Sequence, residues 1–551
     1  MTDTQPSLDE SRNLRARSAA QTAAEKLSVN PTGIVTYTSR GRVLVVGGEE
    51  AQWLAARIEP PLHAEILLTE GSEEAGVPST SLAGRDLRIE GHLGAFRIEL
   101  GEKGRHNYQL INVDMVMDLG ATPLIDRELP PPGYWHFGRE PQDLDAAWLA
   151  LDGMVGTFEK PRFFDYDASI CAHARSGQSG CRRCIDSCPA EAIISIGEQV
   201  EVNPNLCQGG GICATVCPTG AMQYAYPGPG DTAERVRLLL RTYLDAGGSD
   251  PVVLFVAEGD VGLLPPTPAN LLLIVVEELA SVGHEQWLAA LAWGARCVLL
   301  ADGGSVPGKA REALRRQIAF THDLLKGLGY PQDTLRAIAC AEVTAQQLPE
   351  FPHRTGNDAR FAATGQKREL AGLALDHLWE QSQDRPTHFP ILPGAPYGRI
   401  HVDAEKCTLC MSCTSVCPAK AVSAGDDAPR LVFYEDNCVQ CSICASSCPE
   451  RAITLEARYL ADPEQRRQPV VLYEVPPFCC IACGKPFATR RVIDNILDKL
   501  AGHAMFQSDR ARQRLQMCED CRVVDAVQDA DAMQSGLLFG GHPPKSKNGQ
   551  S

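Results

Sequence analysis

Two cysteine runs in the C-terminal half of the chain share one spacing. The first reads Cys407-Thr-Leu-Cys410-Met-Ser-Cys413-Thr-Ser-Val-Cys417-Pro418, and the second reads Cys438-Val-Gln-Cys441-Ser-Ile-Cys444-Ala-Ser-Ser-Cys448-Pro449. The string Cys-Pro-x-x-Ala-apolar that closes both runs also occurs upstream, beginning at Cys188 and at Cys217. The chain therefore contains two pairs of one short cysteine repeat, and this repeat decides how those regions fold.

The downstream pair is complete, and its spacing predicts two [4Fe–4S] clusters. Thiolates two residues apart can surround one corner of a cubane, and the fourth cysteine of each run then serves the other cluster. The expected ligands are Cys407, Cys410, Cys413 and Cys448 for one cluster, and Cys438, Cys441, Cys444 and Cys417 for the other. Disulfides or a zinc ribbon are the competing interpretation, which two complete runs disfavour.

The upstream pair departs from this spacing in its first run. Nine residues, Ala172 to Gly180, separate the first cysteine from the other three. The expected ligands of this first cluster are Cys171, Cys181, Cys184 and Cys217. His173 in the inserted loop is an alternative ligand to Cys171, although we expect it to be a solvated loop histidine.

The second upstream run lacks a cysteine. It reads Cys207-Gln-Gly-Gly-Gly-Ile-Cys213, so that Gly210 stands where the second cysteine is expected. Cys207, Cys213 and Cys188 are then left without a fourth thiolate. Three outcomes are open: a [3Fe–4S] cluster, a site-differentiated [4Fe–4S] cluster with one iron open to an external ligand, or a thiolate recruited from elsewhere. We expect a three-cysteine cluster that offers an iron for chemistry; the alternative is a degraded site whose cluster only passes electrons or is absent.

Composition limits the class of protein. The chain has 551 residues, 22 cysteines and a net charge of −17. The acidic charge argues against a nucleic-acid partner, and no apolar run approaches the roughly 18 residues of a membrane span. Clustered cysteines without an export signal indicate metal binding in a reducing compartment, so we expect a cytoplasmic protein.

The regions between the cysteines predict a scaffold of parallel sheets. Apolar segments at 252–257, 271–276, 297–301 and 335–341 alternate with helical patterns at 285–293 and 309–327. Apolar strands separated by helices favour a parallel sheet covered on both faces. The expected fold class is α/β plus α+β multidomain, with two bacterial dicluster ferredoxin modules inserted between small parallel-sheet α/β domains.

The expected boundaries follow from these patterns. They are a polar arm at 1–32, a small α/β domain at 33–125, a linker at 126–160, module I at 161–227, an α/β domain at 228–345, a linker with one helix at 346–397, module II at 398–458, a metal-knuckle domain at 459–535 and a free tail at 536–551.

The knuckle domain carries two further CxxC pairs. Cys480 and Cys483 form the first, and Cys518 and Cys521 form the second. Four thiolates in two knuckles are typical of structural zinc, so we expect a zinc-ribbon-like domain. A mononuclear iron or a small cluster is the alternative, and the neighbouring Cys479 is surplus.

Two glycine-containing turns come close to nucleotide-binding motifs. Gly303-Gly-Ser-Val-Pro-Gly308-Lys309 follows a strand as a phosphate loop does, but Ala310 stands where such loops need Ser or Thr. Gly47-Gly48 lacks the full G-x-G-x-x-G motif. We interpret both as ordinary strand–turn–helix corners, and we expect Cys297 and Cys340 to be core residues.

Two stretches resemble known families. Residues 398–458 are similar to bacterial dicluster ferredoxins. Pro-Pro-Pro-Gly-Tyr-Trp at 130–135, Glu-Lys-Pro-Arg-Phe-Phe at 159–164 and the Cys171 loop resemble multi-cluster 4Fe–4S proteins encoded beside bacterial formate dehydrogenases. This resemblance implies electron transfer or an accessory role around a molybdenum or tungsten enzyme, with formate dehydrogenase as the partner.

The leading hypothesis is an iron–sulfur protein that relays single electrons through about four clusters to or from a partner oxidoreductase. The alternative is a maturation factor that uses the three-cysteine cluster and the knuckle domain for docking. The sequence shows no paired acid/base set and no flavin signature of an enzyme with its own substrate. Arg182 and Arg183, between two cluster ligands, are expected to raise the reduction potential of the first cluster.

Overall fold

The computed structural model describes residues 8–70, 77–102, 108–137, 141–344, 356–425 and 428–529. The chain divides into two compact units. The first contains residues 1–395 and 458–463, and the second contains residues 396–457 and 464–551. No helix in the described ranges is long and apolar enough to cross a lipid bilayer.

A parallel five-stranded sheet organises the N-terminal region of the first unit. Its strands, in spatial order, are Ser79–Ser81, His63–Leu68, Arg42–Gly47, Met115–Asp118 and Tyr134–His136. The central strand is buried on both faces, because Val43 and Val45 pack into one apolar cluster while Leu44 and Val46 pack into another. Cover on both faces is what an uninterrupted apolar strand requires.

Each face of this sheet has its own cover. Helix Glu49–Ala55 follows the central strand and buries Ala51 and Leu54 on one face. An antiparallel sheet packs on the other face, and its strands are Arg85–Glu90, Phe96–Glu102 and Tyr108–Val113.

Residues 126–160, expected to be a linker, are built into this region. They contain the edge strand Tyr134–His136, helix Pro141–Ala150 and most of strand Gly156–Pro161. This last strand pairs antiparallel with Ile34–Ser39. The structure departs from the expectation because these short segments are completed by partners that are distant in sequence, which local pattern does not report.

Module I consists of short strands and single-turn helices. The strands are Phe164–Tyr166, Ala174–Arg175, Gln178–Ser179, Ile193–Ile196, Gln199–Val202 and Met222–Tyr224, and the helices are Ala168–Ile170, Arg183–Ser187 and Ile212–Val216. The first strand pairs with the last, so the two ends of the module meet. Such short elements bury little apolar area, and the thiols themselves are part of the core.

A second parallel sheet follows, as the alternating pattern predicted. Its strands, in spatial order, are Leu271–Val276, Val252–Ala257, Cys297–Asp302 and Leu335–Ala339. Its helices are Pro229–Asp245, His284–Ala292 and Gly308–Gly327, with 3₁₀ turns at Glu258–Leu263, Leu279–Ser281, Gln332–Thr334 and Cys340–Glu342. Cys297 and Cys340 are both buried in the apolar core of this sheet.

The polar N-terminal segment packs on this second domain. Helix Leu8–Ala24 buries Ala16 and Ala20 against helix Pro229–Asp245, and the Arg17 guanidinium donates to the Pro268 carbonyl at 2.8 Å. Farther along the chain lie helix Lys367–Gln381 and strand His388–Pro390, the latter paired with residues 458–460.

The second unit contains module II and the C-terminal knuckles. The strands of module II are Gly398–Val402, Val422–Ala424, Arg430–Phe433, Ile453–Leu460 and Val470–Glu474, and its helices are Ser412–Val416, Glu435–Asn437, Ile443–Ser446 and Pro463–Arg467. Val470–Glu474 pairs with Arg430–Phe433, so part of the expected knuckle domain belongs to module II.

The knuckle region begins with a short antiparallel pair of strands. Strands Pro477–Cys479 and Pro486–Thr489 are followed by helices Arg490–Leu500, Ala504–Phe506, Asp509–Arg514 and Glu519–Val527. Arg510 and Arg514 both form ion pairs with Asp525, which ties the last two helices together. The expected free tail at 536–551 lies outside the described residues.

A partly buried carboxyl group at one edge of the second parallel sheet gives this domain a pH-dependent stability. Burial, together with the charges of Glu277 and Asp260, raises the pKa of Glu278 to about 7. A raised carboxyl pKa means that the folded protein disfavours the ionised form of Glu278. The free energy of unfolding therefore decreases as pH rises from about 4.5 through 7 and the carboxyl ionises.

We expect Glu278→Gln to stabilise the protein by about 1 to 2 kcal/mol more at pH 8 than at pH 5, after allowance for the partial exposure of the carboxylate. Denaturation at both pH values, followed by the fluorescence of the buried Trp287, measures the difference. Glu258→Gln, at an exposed position on the same edge, is the control. Equal gains at the two pH values would contradict the prediction.

Candidate metal centres

The four Cys-Pro turns share one backbone conformation. The third residue after each cysteine has a positive φ of 50° to 77°, and these residues are Glu191, Gly220, Lys420 and Arg451. Non-glycine residues rarely adopt this left-handed region, so three of the four positions are held there by their surroundings. The chain reverses at this point, which directs amides back at the cysteine. The amide of Ala421 donates to the Cys417 Sγ at 3.2 Å, and that of Ala452 to the Cys448 Sγ at 3.3 Å.

The turns around the second cysteine of each module II run also share one backbone conformation. In module II, Leu409 and Met411 flank Cys410 with φ of 55° and 61°, and Gln440 and Ser442 flank Cys441 with 52° and 66°. Alternating left-handed residues curl the chain around a central point, so that successive thiols face the same side.

The variant run of module I has the same curl. Gly209 and Gly211 flank Gly210 with φ of 85° and 72°. Gly210 therefore occupies the backbone position of Cys410 and Cys441. The three glycines preserve the cluster-binding turn and omit only its second thiol.

Module II brings the expected thiols into two groups. Burial raises the pKa of Cys413 to about 12, and the nearby thiols that add to this shift are those of Cys407, Cys410 and Cys448. Burial raises the pKa of Cys441 to about 11, and its neighbours are Cys417 and Cys438. Cys448 thus lies near the thiols of the first run and Cys417 near those of the second.

The first group of module I is assembled in the same way. Burial raises the pKa of Cys184, and the thiols of Cys217, Cys181 and Cys171 raise it further. The Tyr166 hydroxyl contacts the Cys171 thiol. Cys171 therefore reaches this group despite the nine-residue insertion, which folds into the hairpin Ala174–Arg175 with Gln178–Ser179.

His173 is not solvated, contrary to expectation. Its side chain is 3% exposed. Its Nδ1 lies 3.0 Å from the Cys181 carbonyl, to which it donates, and its Nε2 lies 2.7 Å from the Ser195 hydroxyl. Both ring nitrogens are engaged, so this histidine supports the inserted loop and leaves the position beside Cys181 to Cys171.

The second group of module I contains three thiols. Burial raises the pKa of Cys213 well above its usual value, and the nearest contributing thiols are Cys207 and Cys188. A Cβ built on Gly210 would meet no atom within 4 Å. The position of the missing thiol is therefore open space.

A lysine that sequence reasoning missed stands beside this group. The Lys160 ammonium donates to the Cys207 carbonyl at 2.5 Å and to the Asn205 carbonyl at 3.2 Å. The Tyr37 hydroxyl donates to the same Asn205 carbonyl at 2.6 Å. Burial lowers the pKa of Lys160 to about 8, against the opposing effect of the Cys207 thiol. Tyr37 and Lys160 lie on paired strands, so the N-terminal region holds the start of the variant run.

A second lysine, also missed from sequence, holds the helix between Cys213 and Cys217. The buried Lys367 ammonium donates to the Ala214 and Thr215 carbonyls at 2.8 and 2.6 Å, and lies 3.6 Å from the Glu285 carboxylate. The Thr215 hydroxyl donates to the Ala280 carbonyl at 2.7 Å. A cation at a helix C-terminus is electrostatically favourable. These contacts fix the cluster-binding helix to the second parallel-sheet domain.

The two arginines beside the first group differ in what they contact. The Arg183 amide and its guanidinium charge both oppose the effect of burial on the pKa of Cys181, which is nonetheless raised to about 11. Arg182 is directed to Asp186, with 3.5 Å between Nε and Oδ1. The expected influence of the arginine pair on the first group therefore rests on Arg183.

The C-terminal thiols are spaced for a single metal ion. The Sγ atoms of Cys480, Cys483, Cys518 and Cys521 all lie within 4.8 Å of one another. Metal–sulfur bonds of about 2.3 Å in a tetrahedron place sulfurs about 3.8 Å apart, and the Cys483 and Cys518 Sγ atoms are 3.7 Å apart. The four thiols therefore fit a mononuclear tetrahedral ion such as zinc.

The backbone around Cys480 favours the ionised form of its thiol. Burial would raise the pKa of Cys480, but the amides of Cys518, Cys483 and Ala482 outweigh it and hold the pKa at about 6. Gly484 closes the first knuckle with φ of 74°. Cys479 is exposed and lies outside the group of four.

The near-phosphate loop is filled by the protein itself. The Glu128 carboxylate accepts hydrogen bonds from the amides of Gly308 and Lys309, the latter at 2.9 Å. The Lys309 ammonium pairs with Glu191 at 2.9 Å. An internal carboxylate thus occupies the place of a phosphate, consistent with an ordinary corner. At Gly48, the amide donates to its neighbour Glu50 at 3.0 Å.

Comparison with protein-family models identifies both modules. Residues 406–453 match a 4Fe-4S dicluster domain, and residues 200–223 match a 4Fe-4S binding domain. A search of curated proteins found no match to the chain. The prediction of ferredoxin-type domains is confirmed, and the chain contains two 4Fe-4S ferredoxin-type domains.

Proposed function

We propose that this protein relays single electrons through four iron–sulfur clusters to or from a partner oxidoreductase. The observation that carries the proposal is the proximity of the thiols, which lie in two neighbouring groups in each module and support an exchange of the fourth ligand. Adjacent clusters provide a path for electrons, whereas isolated metal sites do not. Iron and sulfide would supply the redox chemistry.

Three of the thiol groups have the four ligands of a [4Fe–4S] cluster. Their members are Cys171, Cys181, Cys184 and Cys217; Cys407, Cys410, Cys413 and Cys448; and Cys438, Cys441, Cys444 and Cys417. The fourth group, Cys188, Cys207 and Cys213, suits a [3Fe–4S] cluster or a [4Fe–4S] cluster with one iron open. Its intact curl and the open space at Gly210 favour a retained cluster over a degraded one.

The protein contributes hydrogen bonds, burial and charge to these sites. Amides that donate to Sγ atoms and nearby cations favour the reduced state of a cluster. Burial keeps the free thiols protonated at neutral pH, because it raises their pKa to 11 or above at Cys181, Cys413 and Cys441. Insertion of iron must therefore release protons, which couples metal loading to pH.

The partner is expected to be an oxidoreductase that docks near a cluster. Cys410 is exposed, which makes the cluster it would bind the one in module II closest to solvent. Formate dehydrogenase is the partner implied by the resemblance of residues 130–193.

Anaerobic affinity purification with quantification of every associated chain tests this partner. A stoichiometric dehydrogenase subunit supports formate dehydrogenase, and a different oxidoreductase would replace it as the partner.

A maturation factor for a metalloenzyme is the second candidate. The open position at Gly210 favours it, since an iron without a fourth thiolate can accept an external ligand. An electron relay does not need that open position, whereas a maturation factor does. A substitution that supplies the missing thiol at Gly210 therefore separates the two functions.

We expect Gly210→Cys to convert the three-cysteine site into a four-cysteine one. The added side chain meets open space, and Gly210 has an ordinary φ, so the substitution carries no steric cost. Iron content and electron paramagnetic resonance of the purified protein should then report four [4Fe–4S] clusters. An electron relay should retain transfer to its partner, whereas a factor that uses the open iron should lose activity.

Gly210→Ala is the control, because it adds a Cβ at the same position without a group that can bind iron. It should leave the three-cysteine spectrum unchanged. The unmodified protein could instead show a [4Fe–4S] spectrum that neither substitution changes and that does not respond to an added external ligand. That result would show that a fourth ligand is recruited from elsewhere.

We propose zinc for the C-terminal site, in a structural role, because four thiolates leave no open position. Cys518→Ser should remove about one equivalent of zinc per chain while the iron content stays constant, and it should increase proteolysis of residues 477–529. Metal analysis and limited proteolysis measure both effects. Cys479→Ser should retain the zinc. Iron in place of zinc in the unmodified protein would overturn the choice of metal.

A further inference from the structure

A cavity of about 380 Å³ opens beside module I within the first unit. One wall is formed by helices Arg183–Ser187 and Ile212–Val216, and the opposite wall by helix Gly308–Gly327, with residues 392–395 closing one end. Its volume falls within the range of small-molecule sites, roughly 300 to 1,000 Å³.

Three of the four residues on the module wall directly precede cluster ligands, and the fourth is Asp186. Arg183 precedes Cys184, Ser187 precedes Cys188, and Val216 precedes Cys217. These three cysteines come from both thiol groups of module I. A molecule in the cavity therefore lies one residue away from the ligands of two clusters.

The charged groups of the cavity leave one cation without a counter-ion. Arg316 pairs with Glu312 at 3.2 Å, Lys309 pairs with Glu191 at 2.9 Å, and Asp186 pairs with Arg182 at 3.5 Å. Arg183 is partly buried, and no carboxylate in the described part of the chain lies within ion-pair distance of it. Two cations (Lys309 and Arg316) and two anions (Asp186 and Glu312) of the walls are thus neutralised locally, and Arg183 supplies the uncompensated charge.

The uncharged part of the lining is mostly apolar, with Gln317 and Ser187 as its polar side chains. Val216, Ala313, Phe320, Leu392 and Pro393 contribute side chains without charge. A guanidinium group presents paired donors that match the oxygens of a carboxylate or phosphate. The lining therefore suits an oxyanion attached to an apolar body rather than a bare inorganic ion.

We propose that this cavity binds a small organic oxyanion, anchored by Arg183, and that its occupancy is coupled to the redox state of the first cluster of module I. The coupling follows from position, because Arg183 lines the cavity and lies between the two ligands Cys181 and Cys184. A bound anion neutralises the charge of Arg183, which disfavours reduction of the cluster. By linkage, reduction weakens anion binding by the same factor.

The coupling rests on the proposed function, since it needs a cluster at Cys171, Cys181, Cys184 and Cys217. Anion binding itself does not. Iron content and cluster spectra without added anion therefore test the proposed function separately.

The test compares three probes that share one ring. Benzoate and phenyl phosphate carry the two kinds of oxyanion, and benzyl alcohol carries no charge. Ligand-observed NMR on the oxidised, fully loaded protein should show binding of at least one anion and none of the alcohol. Arg183→Gln should weaken anion binding at least tenfold. Arg315→Gln, on the same helix as Arg316 but outside the cavity, should change it less than twofold. The relative affinity of the two anions identifies the preferred headgroup.

The redox arm measures the midpoint potential of the first cluster with and without the bound anion. A tenfold preference for the oxidised protein corresponds to a midpoint about 59 mV lower, and Arg183→Gln should abolish the shift. Binding that is unchanged in Arg183→Gln, equal binding of the alcohol, no binding of either anion, or an anion-independent midpoint would each overturn the proposal.

Discussion

The exchange of one thiol between neighbouring runs is the constraint on which the cysteine-rich regions depend. Cys417 lies among the thiols of the following run, and Cys448 among those of the preceding one. Neither run is complete by itself, so the two must fold together. The short strands and single-turn helices around them bury little apolar surface, and the cysteines form part of the core. Metal binding and folding are therefore expected to be one process in these modules.

Module I shows how such a small module is held in a larger chain. Paired strands carrying Tyr37 and Lys160 fix the start of its variant run, and Lys367 and Ala280 fix the helix that follows Cys213. These contacts come from regions on both sides in sequence. They immobilise the run that lacks a thiol. We infer that the parallel-sheet domains act chiefly as a frame for these clusters.

The same packing creates the features that set one thiol group apart from another. Lys160 lies beside the three-cysteine group, Arg183 beside the first group, and a cavity opens along the wall that both groups share. Hydrogen bonds, charge and solvent access are the means by which a protein adjusts cluster potentials. Identical clusters at these positions would therefore differ in potential, as a directional relay requires.

Cysteine spacing alone predicted which thiols would lie near one another in module II, because three cysteines two residues apart can surround one corner of a cluster and leave the fourth position to another run. The strands of the second sheet were predictable for a similar reason, since uninterrupted apolar runs need cover on both faces. Tertiary structure alone decided that residues 126–160 form strands and a helix, that His173 is buried, and where Lys160, Lys367 and Arg183 lie. Each of these depends on a partner distant in sequence, such as the Ser195 hydroxyl or the Ala214 carbonyl. Local pattern reports periodicity and spacing, whereas the contacts that complete an edge strand or enclose a cavity exist only once the chain has packed.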